Sequence, residues 1–311
     1  MFNSSSDSAA NISYIGRFAP SPTGPLHFGS LLAALASYLD AKSHHGQWLI
    51  RMEDLDPPRE MPDAKNLILK ALDAHGLFSD QEIIYQSERS DQYQQALDLL
   101  IKQNSVFPCS CSRKQLAEFN GIHLGNCQSS IDQIETQFAW RFDSQPAGTG
   151  DEGNIAHFQD QLQGDFRQSI KQSIGDFVVK RKDQLWAYQL AMVVDDYLQG
   201  VTHVVRGIDL IDSTLRQNML QIALQYPLPK YAHIPVACAD NGQKLSKQNL
   251  APALDLNKPE ENMWRALSWL RQSPPKELRS SSVKELLAWG IDNWNPKPLT
   301  GIETQAATFA V

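Results

Sequence analysis

The sequence predicts an α/β protein built on a parallel sheet, interrupted by a cysteine-bearing insertion and finished by short helices. Three observations carry this. Residues 13–105 alternate short apolar strands with amphipathic helices; a strand–helix–strand succession returns between residues 175 and 206; and three of the four cysteines fall, close to His123, between these two stretches. The 311 residues allow one large domain or two modest ones, and a hydrophobic content of 42% supplies a sizeable core. No apolar run reaches the length of a membrane helix, so no membrane partner is expected. Residues 1–12 lack both a basic region and an apolar segment, and read as a disordered tail and not a secretory signal. A cytoplasmic chain keeps its thiols reduced or gives them to a metal. The net charge of -7 argues against bulk electrostatic capture of nucleic acid, so an RNA partner has to meet a local basic surface.

The first element is a strand at Ser13–Ala19. Its end merges into Arg17-Phe-Ala-Pro-Ser-Pro-Thr-Gly-Pro-Leu-His-Phe-Gly-Ser30, which holds three prolines and two glycines in 14 residues. An Ala/Leu-rich helix follows from Leu31 to Ala41. A helix start behind a stiff turn offers unpaired N–H groups and a positive dipole end, both suited to phosphate. Gly24 and Gly29 permit close approach of a ligand, and His27 and Ser30 can add hydrogen bonds. The stretch is neither a P-loop nor a dinucleotide fingerprint.

Next come a strand at Gln47–Met52 and the acidic run Glu53-Asp-Leu-Asp56, in the usual place for ligand contacts after a parallel strand. Helices are expected at Ala64–His75, closed by Gly76, and at Ser90–Asn104. The insertion carries Cys109, Cys111, His123 and Cys127, the pattern C-x-C-x11-H-x3-C. Two close soft ligands, a loop, then two more suit a tetrahedral, structural zinc site, one ion per chain; the alternative is three unrelated buried thiols. Cys238 stands apart among apolar residues and reads as ordinary core. Residues 143–172 read as loops and short strands of the insertion. A strand at Gly175–Arg181, a helix at Trp186–Leu198 and a strand at Val201–Arg206 predict a second crossover of the same parallel sheet. Lys244-Leu-Ser-Lys247-Gln248 follows in a Gly-flanked loop, and two helical runs, Glu260–Arg271 and Ser282–Trp289, come last. By themselves Tyr188 reads as helix packing and Arg206 as a surface ion pair.

These stretches together resemble the class I aminoacyl-tRNA synthetases of the glutamyl type. Arg17-Phe-Ala-Pro-Ser-Pro-Thr-Gly24 with His27-Phe-Gly-Ser30 is similar to their HIGH region, with Ser in the last position. Lys244-Leu-Ser-Lys247-Gln248 is similar to KMSKS, with Leu for Met and Gln for the final Ser. Gly175-Asp-Phe-Val, Val193-Val-Asp-Asp196 and Thr202-His-Val-Val-Arg206-Gly fall between them in the family's order. A Gly common after the Asp that follows the first of these is Gln184 here, so a different turn is expected. The family's third zinc ligand is often Tyr, where this chain has His123.

The resemblance covers roughly residues 13–295. It implies a Rossmann-like core at 13–105 and 186–249, a zinc-bearing, acceptor-binding-like insertion at 106–185, and a helical region at 250–311 with no room for an anticodon-binding domain. A chain abbreviated in this way resembles the glutamyl-queuosine tRNA(Asp) synthetases. Such enzymes activate L-glutamate with ATP and Mg2+, without tRNA, and transfer it to queuosine of tRNA(Asp). The resemblance assigns L-glutamate to Arg17, Phe18, Ala19, Pro20, Ser21, Glu53, Tyr188 and Arg206, ATP to His27, Gly29 and Lys247, and catalysis to His27, Ser30, Lys244 and Lys247. Lys180, Arg181 and Lys182 are candidates for RNA contact. An abbreviated glutamyl-tRNA synthetase and a non-catalytic RNA-binding paralogue are the alternatives.

Overall fold

The computed structural model describes residues 13–117, 121–125, 137–145, 154–238 and 252–307. The N-terminal twelve residues, Cys127, Lys244 and Lys247 lie outside the described residues. The core grows from β1 (Ile15–Phe18). Helix α1 (Phe28–Ser43) starts at Phe28 and not at Leu31, because the His27 ring caps it: Nδ1 accepts the Ser30 N–H at 3.3 Å. Strand β2 (Gln47–Met52) pairs parallel to β1, α2 (Ala64–Ala74) crosses over, and β3 (Ile84–Tyr85) pairs parallel to β2. Gly76 ends α2 at φ +67°, a conformation glycine takes without a Cβ clash.

Helix α3 (Ser90–Lys102) leads to β4 (Val106–Cys109), the short α4 (Arg113–Ala117) and β5 (Ala139–Phe142). Strands β6 (Ile155–Asp160) and β7 (Gly164–Ser169) form an antiparallel hairpin, followed by β8 (Phe177–Lys180) and α5 (Tyr188–Leu198). Then come β9 (His203–Gly207), α6 (Ile211–Ala223), β10 (Lys230–Ile234) and β11 (Val236–Cys238). Helices α7 (Pro259–Trp269) and α8 (Val283–Asn293) precede β12 (Thr304–Ala306), which pairs with β11.

Strands β9 and β10 are parallel, joined by α6, and β10 pairs parallel with β6. The Thr202 N–H donates to the Ile15 carbonyl at 2.9 Å, and the Ile15 N–H to Thr202 Oγ1 at 2.9 Å, so β1 and β9 lie side by side. From this junction the chain builds outward both ways, to β2 and β3 on one side and to β10, β6 and β7 on the other. Strand order reverses there, which opens a crevice at the carboxyl ends of β1 and β9.

The expected crossover from residue 175 to 206 needs correction. Strand β8 pairs antiparallel with β5, in a separate sheet ordered β4-β5-β8. Helix α5 therefore carries the chain between two sheets, and the true second crossover is β9-α6-β10. Helix α6 is hard to see in the sequence because Thr214, Gln217, Asn218 and Gln221 are buried and interrupt its apolar stripe. Part of the polar stretch 143–172 also departs from expectation: its hairpin joins the core sheet through β6. The turn at Gln184 keeps the left-handed conformation, φ +67°, that a glycine would take.

Helix α1 is buried nearly all round, with Leu31, Ala34, Leu35, Ala36 and Leu39 fully covered between the sheet, α7 and α8. Leu35→Ala should cost about 2–5 kcal/mol, from lost burial plus the residual cavity. Urea unfolding measures this, and a change under about 1 kcal/mol would contradict such tight packing.

Candidate active site and metal cluster

A cavity of about 610 Å³ opens at the carboxyl ends of β1 and β9. It gathers every residue the sequence assigned to glutamate, and also His27, Gly29 and Ser30. Arg17 and Phe18 end β1, Glu53 follows β2, Tyr188 begins α5 and Arg206 lies in β9. The Glu53 N–H donates to the Pro20 carbonyl at 3.0 Å, which ties the proline turn to the acidic loop. The α1 N-terminus, capped by His27, faces the same space.

Of the three acids after β2, only Glu53 lines the cavity. Asp54 is taken by Lys65 Nζ at 2.5 Å and by Ser87 through N–H at 2.8 Å and Oγ at 2.7 Å. Asp56 pairs with Arg59 and Arg181. Glu53 is 8% exposed, and its Oε1 has no hydrogen-bond partner among the described residues. Burial lifts its pKa from 4.5 to about 7, against the pull of Arg51 and Arg17.

Behind the cavity lies a buried charge cluster. Asp196 accepts from Arg17 Nε at 3.3 Å and from Arg51 Nη1 at 2.8 Å. Asp195 accepts from Arg89 Nε at 2.6 Å, Tyr93 Oη at 2.7 Å and Gln86 Nε2 at 2.8 Å. Burial raises the Asp196 pKa, but the two guanidinium groups outweigh it and hold the carboxyl below its usual range. Arg51, Asp195 and Asp196 go beyond the site residues expected from sequence. The signal was present: two adjacent acids in an otherwise apolar helix turn are rare without partners.

Arg206 is not a surface residue. It is 5% exposed and held from three sides, with Nε donating to His233 Nε2 at 3.1 Å and Nη2 to Thr214 Oγ1 at 2.8 Å and Gln217 Oε1 at 2.9 Å. Its Nη1 is buried with no hydrogen-bond partner among the described residues. Tyr188 also lines the cavity, and burial pushes its hydroxyl pKa up, so it stays a neutral donor and acceptor.

A second cluster lies in the β4-β5-β8 region. Cys109 Sγ and Cys111 Sγ stand 3.6 and 3.9 Å from His123 Nε2, and the three ligand atoms all fall within 4.8 Å of one another. Arg141 Nε donates to Cys109 Sγ at 3.2 Å. Asp176 takes His123 Nδ1 at 2.9 Å and also the Gly125 N–H at 2.6 Å, leaving Nε2 to face the thiols. Gly175 is required beside it: at φ +60°, an added Cβ would lie 2.6 Å from Ile122 Cγ2 and 2.8 Å from the His123 carbonyl. Cys238, as expected, is buried core.

The basic run after β8 is committed within the protein. Lys180 Nζ lies 4.4 Å from the Trp186 ring centre, Arg181 pairs with Asp183 and Asp56, and Lys182 Nζ donates to the Ser110 carbonyl at 2.6 Å. The Arg181 side chain is still 40% exposed, so these contacts leave part of the run open to solvent.

The parallel sheet, its switch-point cavity and the capped helix define a class I tRNA synthetase catalytic domain, and residues 15–271 match the family described as tRNA synthetases class I (E and Q), catalytic domain. A glutamyl-Q tRNA(Asp) synthetase of Vibrio vulnificus (strain YJ016) is 47% identical over 285 residues, covering 91% of this chain and 90% of the relative. One of Ectopseudomonas mendocina (strain ymp) is 46% identical over 299 residues, covering 95% and 99%. The chain belongs to this glutamyl-Q tRNA(Asp) synthetase family of class I synthetases. The crystal structure of glutamate-tRNA synthetase from Elizabethkingia anophelis shares the fold, with a TM-score of 0.76 at 23% identity, over 94% of this chain and 68% of that one.

Glu53 sets a pH signature in the ligand-free protein. A carboxyl whose folded pKa is raised leaves stability intact below 4.5 and loses it as pH climbs through about 7. Glu53→Gln should therefore gain little stability at about pH 4 and clearly more at about pH 8. Urea melts at both pH values decide this; an equal gain at both, or a loss at the higher one, would contradict the burial argument.

Proposed function

We propose that the protein activates L-glutamate with ATP and passes it, as glutamyl-adenylate, to queuosine of tRNA(Asp). The observation that carries this reading is that one cavity is lined by two residues each with a buried atom that lacks a hydrogen bond among the described residues, Glu53 Oε1, whose nearest cation is Arg51 Nη2 at 3.9 Å, and Arg206 Nη1, in a member of this family. An acid suits the α-ammonium of an amino acid, and a guanidinium suits a carboxylate. Arg17, Tyr188 and Ser21 complete the polar lining, with Phe18, Ala19 and Pro20 as its wall.

An oxygen of the α-carboxylate attacks the α-phosphorus of ATP, the bond to the bridging oxygen breaks, and pyrophosphate leaves. A queuosine hydroxyl then attacks the carbonyl carbon, and AMP leaves with the electron pair. The protein positions the reactants and stabilises charge. The α1 N-terminus with His27, Gly29 and Ser30 receives phosphate oxygens. Lys244 and Lys247 neutralise the departing pyrophosphate, with Mg2+ bound to the nucleotide. Substrate ammonium draws Glu53 back to its ionised form, because an opposite charge nearby favours the carboxylate.

Cys109, Cys111 and His123, with Cys127 as the fourth ligand, hold a structural zinc ion. The Asp176 contact that turns Nε2 toward the two sulfurs and the guanidinium beside Cys109 both fit a thiolate–imidazole ligand set. Zinc would lock the insertion's loops and leave no open coordination position. The reducing cytoplasm is the compartment that suits these free thiols.

Two measurements test these readings. With labelled glutamate, tRNA that lacks queuosine should accept nothing, whereas tRNA stripped of its 3′ terminus should still be labelled. The reverse pattern would identify a synthetase that charges the 3′ end. Metal analysis should find one zinc per chain, and Asp176→Asn should weaken zinc about 10–100-fold against a competing chelator. Metal-free protein as purified, or unchanged affinity in the variant, would refute the zinc site.

A further inference from the structure

Arg206 owes its orientation to a chain of buried groups that leads away from the cavity. Its Nε–H is accepted by His233 Nε2 at 3.1 Å, and Thr214 Oγ1 approaches the same nitrogen at 3.2 Å. A nitrogen that accepts from a guanidinium N–H carries a lone pair and no proton. The proton of the ring must then sit on Nδ1, which meets Asp160 Oδ2 at 2.6 Å. His233 and Asp160 are 0% and 1% exposed, so both are shielded from bulk solvent.

Asp160 is itself held in place. Its Oδ1 accepts backbone N–H groups from Leu162 and Gln163, both at 2.9 Å, and from His233 at 3.2 Å. Burial raises its pKa, but the His233 contact and these N–H groups more than offset it, so the carboxyl stays ionised. Burial also lowers the His233 pKa, in keeping with a neutral ring. An ionised acid on Nδ1–H fixes the tautomer and makes Nε2 the stronger acceptor.

We propose that Asp160 and His233 are positioning residues for glutamate recognition: they fix a neutral imidazole that takes the Arg206 Nε–H, so that Nη1 is the donor left for a substrate carboxylate. The proposal rests on the reading of Arg206 as a carboxylate partner. Three side chains on β10 and α6 hold two of the guanidinium nitrogens, Nε and Nη2, and leave the group little freedom to turn, so its ordering is complete before substrate arrives. Asp160 lies at the tip of the β6–β7 hairpin, so this peripheral segment acts on the cavity through β10.

The decisive variant is Asp160→Asn, which changes almost no volume. An amide can present its N–H to His233 Nδ1, moving the ring proton to Nε2, where it opposes the Arg206 N–H. The glutamate KM in ATP–pyrophosphate exchange should rise about 10–100-fold, with the ATP KM unchanged and kcat altered less. His233→Met should do the same, and His233→Gln, whose Oε1 can accept in place of Nε2, should largely restore binding. Gln has no tautomer to flip, so adding Asp160→Asn to His233→Gln should cost little more, a non-additivity that simple destabilisation would not give. Equal losses in both KM values and kcat, or no rescue by Gln, would overturn the proposal. Nitrogen chemical shifts of His233 give a second readout without substrate: Nδ1 protonated in the wild type and Nε2 protonated in Asp160→Asn. If the wild type bound no glutamate, the functional reading would fail, while these shifts would still decide how the ring is held.

Discussion

The buried pairing of Arg17 and Arg51 with Asp195 and Asp196 is the contact on which the catalytic half depends. These charges come from β1, β2 and α5, and Arg89 and Tyr93 bring in α3. Arg51, Asp195 and Asp196 are each 6% exposed or less, so removing one partner would strand the others away from water. Such losses cost about 3–5 kcal/mol, although an intact buried pair adds little net stability. What the pairing supplies is register. Helix α5 sits on the sheet with Asp195 and Asp196 turned to these arginines, and its first residue, Tyr188, lines the cavity. Glu53 stands at the edge of the same cluster, its Oε1 within 3.9 Å of Arg51 Nη2 but without a hydrogen bond among the described residues.

Two other acids repeat a single device. Asp176 holds Nδ1 of His123, and Asp160 holds Nδ1 of His233. In each case the carboxylate also accepts backbone N–H groups, which anchor it before it orients the ring. The free face of one imidazole meets two thiols, and that of the other meets a guanidinium. The same side-chain pair thus stands behind a Cys/His cluster that could hold a metal in one sheet and behind a cavity-lining arginine in the other. The partner on Nε2, not the pair itself, decides its use.

Much of the catalytic half was legible because its signals are local. The proline turn, the Ala/Leu run after it and the glycine after α2 announce β1, α1 and the end of α2 by backbone chemistry alone. Glu53 and Arg206 could be singled out because the order of motifs is a property of the chain. The commitments of Asp54 to Lys65 and of Arg181 to Asp56 could not, since the first spans the turn between β2 and α2 and the second joins residues 125 apart in sequence. Helix α6 was hidden for a related reason. Its buried face is polar because it serves Arg206, which makes it look like a poor amphipathic helix.

Sequence by itself determined the class of fold and the candidate ligands of the Cys/His cluster, because turn stiffness, periodicity and ligand spacing are written residue by residue, and the order of its motifs, through the family resemblance, pointed to the glutamate-site residues that line the cavity. Tertiary structure decided which strands share a sheet. Phe177–Lys180 has a pattern that either a parallel or an antiparallel neighbour can satisfy, and only packing chose β5. Tertiary structure also decided which charges remain unspent. An acid or a guanidinium keeps an atom without a hydrogen bond here when its potential partners are already occupied elsewhere. That depends on distances between elements, which no stretch of sequence contains.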